Sequence, residues 1–115
     1  MPSLTLIPAA TVGGELAAAG VRADADSGHP VMATLGVMTE SSGNVGIWEC
    51  EPGGWPVVER SGTEFCYVVS GAAVITEQES GRRHELAAGD TLLLPPGWTG
   101  RWDVTTRMRL VYVVF

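Results

Sequence analysis

Glu64 and Cys66 stand two residues apart in the run Glu64-Phe65-Cys66-Tyr67-Val68-Val69. Alternate residues of a strand share a face, so Glu64, Cys66 and Val68 look one way and Phe65, Tyr67 and Val69 the other. A carboxylate on a desolvated inner face has a raised pKa and suits general acid or base work. A structural role, with Glu64 held by Arg60 or a backbone donor, stands equally open. Cys66 as a nucleophile would need a His or Arg beside it to lower its pKa, and without one it packs as a small apolar residue, as does Cys50. Tyr67 offers a phenol to a ligand, yet its place opposite Glu64 reads as packing or interface. Arg60, if it points inward, would fix a carboxylate or phosphate bidentately, and is otherwise a solvated loop residue.

Composition removes whole classes of chemistry. All 7 basic residues are Arg, so neither a Schiff-base lysine nor a Walker-type phosphate lysine exists. Only 2 His are present, His29 and His84, so a site of three imidazoles cannot be built in one chain. The 2 Cys lack CxxC spacing and are expected to be reduced thiols of a cytoplasmic protein. A net charge of -6 repels a phosphate backbone, which disfavours nucleic-acid binding. Apolar runs such as Val111–Phe115 fall far short of the roughly 20 residues that cross a bilayer.

The elements that must position these groups are short and β-rich. A chain of 115 residues with 15 Gly and 7 Pro makes one compact domain. Residues 1–30 read as an N-terminal arm, loop-like at 23–30, with one short helical turn near 14–19. Residues 31–115 form the domain proper. Strands are expected at Val31–Met38, Val45–Glu51, Glu64–Val69, Ala72–Glu77, Arg83–Leu86, Thr91–Leu94, Arg101–Thr105 and Met108–Phe115, with turn chemistry at Pro52-Gly53-Gly54, Ser70-Gly71 and Pro95-Pro96-Gly97. Such even spacing predicts an all-β sandwich or barrel.

Two stretches narrow this further. Glu64 is followed, after six intervening residues, by Gly71, and Gly89 is followed by Pro95-x-Gly97. These resemble the two motifs of the cupin superfamily. With Trp48-Glu49, Glu64-x-Cys66-Tyr67, Trp102, Arg109 and Tyr112, the chain looks like the small single-domain cupins of the ureidoglycine aminohydrolase type. The resemblance covers about residues 45–115. It implies a cupin jelly-roll barrel, usually a homodimer, with any site in the barrel mouth. It also places Cys66 inside the barrel beside Glu64. The N-terminal arm is expected to pair across the dimer, where it would protect an exposed sheet edge.

The chain departs from that family at the metal. Metal-dependent cupins carry two His before the motif Glu and a third after the second motif. Here those positions hold Val58 and Arg60, or Val57 and Glu59 at the other common spacing, and Gly100. Of the ligands expected, Glu64 alone remains, so no metal and no cofactor are expected. The 4 Trp, at 48, 55, 98 and 102, bracket the turns around the mouth and suit stacking on a planar or sugar ligand. Trp48 and Trp102 are expected as cavity walls, with Glu49 and Trp98 also at the ligand. The resulting expectation is a metal-independent small-molecule-binding module with Glu64 and Arg60 as polar anchors. Its alternative is a metal-independent isomerase, lyase or hydrolase in which Glu64 moves a proton and Arg60, Cys66 or Tyr67 assists.

Overall fold

The computed structural model describes residues 2–115. In chain order it has one helical turn, α1 (Ala9–Val12), and nine strands: β1 (Ala17–Val21), β2 (Ser27–Gly28), β3 (Val31–Glu40), β4 (Gly43–Cys50), β5 (Gly53–Val57), β6 (Glu64–Glu77), β7 (Arg83–Ala87), β8 (Thr91–Leu94) and β9 (Gly100–Val114). All pairings are antiparallel.

Two long strands build the jelly roll. The C-terminal part of β9 runs between β4 and the first half of β6, whose other edge carries β8. The N-terminal part of β9 runs between β5 and the second half of β6, whose other edge carries β7. Each long strand therefore belongs to two sheets and bends between them. Where the sequence suggests a turn at Ser70-Gly71, the chain does not reverse; it kinks one continuous strand. Register shifts fall between Val68 and Ala73, and Gly71 sits at φ +85°. The shift changes which parity faces inward: Cys66 and Val68 are buried before the kink, Ala73 and Ile75 after it. An inserted residue is the way a strand keeps its apolar side on the core as it turns a corner.

The core between the sheets contains Cys50, Trp55, Cys66, Val68, Ile75, Leu94, Trp102, Met108 and Leu110. Strand β5 replaces the turn expected at Pro52-Gly53-Gly54. These glycines serve close approach: a side chain on Gly53 would press on the Pro30 ring, and one on Gly54 would strike Asp103 and Arg101.

Within the segment before β3, β1 pairs with β3 and β2 with β5 of the same chain. The helical turn is at Ala9–Val12, ahead of the expected place, and residues 17–21 form an edge strand on β3. Arg109 holds the segment between them. Only 9% exposed, it donates from Nη1 to the carbonyls of Val12 (2.8 Å) and Gly14 (2.7 Å).

Candidate functional site

Glu64 opens β6 and Arg60 lies within the loop before it, residues 58–63. The loop is pinned on both sides: the Arg60 N–H donates to the Trp98 carbonyl at 3.0 Å, and the Gly97 N–H donates to the Arg60 carbonyl at 2.7 Å. Next to Arg60, Glu59 takes φ +45°, the one positive φ at a non-glycine residue among those described, and its N–H is held by Thr99 Oγ1 at 3.0 Å. These bonds hold the loop backbone on both sides of Arg60. The result is an ion pair, Arg60 Nη1 to Glu64 Oε1 at 3.2 Å, with both side chains less than a fifth exposed.

The pair borders a cavity of about 200 Å³ whose walls include Trp48, Trp55, Trp102, Tyr112 and Arg22. Trp55 and Trp102 are cross-strand partners of β5 and β9, and their rings lie parallel, 5° apart with centroids at 6.2 Å. Trp48 meets them edge-on from β4, at 6.0 and 6.5 Å. Arg22 lies over Trp55, its guanidinium carbon 4.3 Å from the ring centroid.

Burial raises the Glu64 pKa, and the charges of Arg60 and Arg22 together with the Arg60 hydrogen bond only partly offset that. Burial and then the Glu64 charge raise Tyr112 as well, which keeps its phenol a donor. Protonated Glu64 is favoured by the fold, so as pH rises from the ordinary value of 4.5 through the raised one, the wild type loses stability relative to Glu64→Gln, and the difference flattens above. Denaturant unfolding of both proteins across this range checks it; a difference moving toward the wild type would contradict the buried carboxylate.

The residues expected at the site separate into three places. Glu64, Arg60, Trp48 and Trp102 converge on the cavity. Cys66 faces the same interior but lies beneath, fully buried in the core, where burial pushes its thiol up to about 12. It is expected to resist iodoacetamide in the folded protein and to react once the chain is unfolded; rapid labelling of the native state would contradict this. Tyr67 is 46% exposed on the opposite face of β6. Glu49 also faces outward, paired with Arg107 Nη2 at 2.9 Å and Arg109 Nε at 3.3 Å. Burial pushes Glu49 up, but these two arginines outweigh it and hold its carboxyl below the usual range. Trp98 packs over Gly100 and touches the site only through its backbone. Trp55 and Arg22 were not expected there. Alternation of Trp55 with Val57 was the available signal for the first; nothing local marks the second.

Residues 39–112 match the family model of the EutQ-like cupin domain. The chain belongs to the EutQ-like cupin family. Solved cupins share its fold. The EutQ protein of Clostridium difficile is 24% identical over 75% of this chain and 68% of its own, with a TM-score of 0.64. An ethanolamine utilization protein Q from Salmonella typhimurium is 22% identical over 84% and 76%, with a TM-score of 0.68. A protein of unknown function from Pseudomonas syringae is 20% identical over 90% of this chain and 46% of its own, with a TM-score of 0.80. At these identities the likeness concerns the fold alone. No curated protein matches the sequence.

A metal is the group that cupins commonly hold, and the donor set here does not fit one. Among the described residues no three His, Cys, Asp or Glu side chains come together. Beside the Glu64 carboxylate of this EutQ-like cupin stands the cationic Arg60, which competes for the oxygen a metal would use. Among the described residues, likewise, no helix is long and apolar enough to cross a membrane.

Proposed function

We propose that this cupin is a metal-independent small-molecule-binding module, with its ligand in the barrel mouth between Trp walls and with Glu64 and Arg60 as polar anchors. The observation that carries the reading is the 3.2 Å Arg60–Glu64 pair at the edge of a Trp-walled cavity of about 200 Å³. That volume equals about seven waters at roughly 30 Å³ each and lies below the roughly 300 Å³ at which drug-sized pockets begin. It suits a small metabolite. Buried indoles supply contact area, and the pinned pair supplies orientation without an ordering cost. An aminohydrolase working through a metal-bound water finds no donor set here, so the reading does not extend to that reaction.

The partner of the reading is a second copy of the chain. Phe65, Tyr67 and Leu93, 44–60% exposed, lie together on the outer face of β6 and β8, where Phe65 pairs with Leu93. A native mass spectrum of the tag-free protein tests both parts. The expected result is a metal-free dimer carrying, when purified gently, an added small-molecule mass. A stoichiometric metal ion would overturn the metal-free reading, and a monomer would remove the second copy.

A further inference from the structure

The cavity wall holds two guanidiniums, Arg22 and Arg60, each paired with one carboxylate, Asp24 at 2.8 Å and Glu64 at 3.2 Å. The guanidiniums are not fully used. Arg22 gives Nε to Asp24 at 2.8 Å, and Arg60 gives Nε to the Gly62 carbonyl and Nη1 to Glu64. No partner within the described residues takes Arg22 Nη1, Arg22 Nη2 or Arg60 Nη2. Planar forks with free N–H groups beside a single carboxylate are recognition elements for a further carboxylate. Behind them lie indole faces and edges that pack a flat apolar body. A cationic ligand would bring a second positive charge up to Arg22, which already lies over the Trp55 ring.

Resting on the binding reading above, we propose that the ligand class is a small aromatic monocarboxylate, its carboxylate held by Arg22 and Arg60 and its ring packed against Trp48 at the edge of the Trp55–Trp102 stack. Arg22 makes the N-terminal segment part of the site. It selects for the anion, while Glu64 competes with the ligand for Arg60.

The test follows the four indole N–H resonances by NMR during titration with benzoate, neutral benzamide and cationic benzylamine. Benzoate is expected to move the signals of Trp48, Trp55 and Trp102, leave Trp98 in place, and bind at least tenfold more tightly than the other two. Arg22→Gln should weaken benzoate about 10- to 100-fold and benzamide by a much smaller factor, with Arg22→Lys intermediate because it keeps the charge and loses the fork. Glu64→Gln should tighten benzoate. Benzamide or benzylamine binding as tightly as benzoate, or an unchanged benzoate affinity in Arg22→Gln, would overturn the anion class and leave the cavity reading standing. If none of the three probes moves an indole signal, or if Trp98 alone moves, the cavity reading falls with it.

Discussion

Gly71→Ala is expected to destabilise the protein by roughly 2–6 kcal/mol, the sum of a strained φ and an overpacked backbone contact. Gly71 sits at φ +85° where β6 passes from one sheet to the other, and a Cβ there would overlap the Arg107 carbonyl and the Cα of Met108. Both obstacles are backbone of the paired strand, so no rotamer change relieves them. Against a total of about 5–15 kcal/mol for a domain, the loss approaches unfolding. Gly89→Ala is the matched control. Its φ is +94°, but nothing lies within 4 Å of the added methyl, so it should cost only about 1 kcal/mol. Denaturant midpoints of the two variants check the account; equal losses would contradict the claim that close packing at the corner, and not φ alone, demands glycine at position 71.

Arg109→Leu is expected to cost about 3–5 kcal/mol and to release the N-terminal segment. Arg109 is 9% exposed, and it satisfies two backbone carbonyls and one side of Glu49 at once. Removing it strands three acceptors in a poorly solvated place. Hydrogen exchange should show amides of residues 9–16 losing protection in the variant while β6 and β9 keep theirs; unchanged protection of residues 9–16 would contradict this role of Arg109.

How much of this was legible depended on whether the signal was local. The strands came through because alternation and turn residues mark them, and Thr91–Leu94 matches to the residue. The same local reading took Ser70-Gly71 for a turn, because turn chemistry and a strand kink use the same positive φ; only the pairing of β6 with two sheets tells them apart. Gly53-Gly54 hid a strand for a related reason, since their glycines answer to Pro30, Asp103 and Arg101, residues remote in sequence. Glu64, Arg60, Trp48 and Trp102, marked by motif and by turn position, line one cavity. Glu49 had a partner that spacing does not reveal, Arg109, sixty residues on and opposite it in the β4–β9 register. Arg22 reaches the cavity because the segment before β3 folds back along it, a long-range arrangement with no sequence pattern of its own.

The central claim is that a ligand binds at the Arg60–Glu64 pair within the Trp walls. Anything that binds the native state raises its melting temperature, so a thermal-shift screen of small metabolites on wild type, Arg60→Gln and Trp48→Ala measures it most directly. The account predicts compounds that raise the wild-type Tm and lose that effect in both variants. Stabilisation that survives unchanged in both, or a wild type that no compound stabilises, would contradict it.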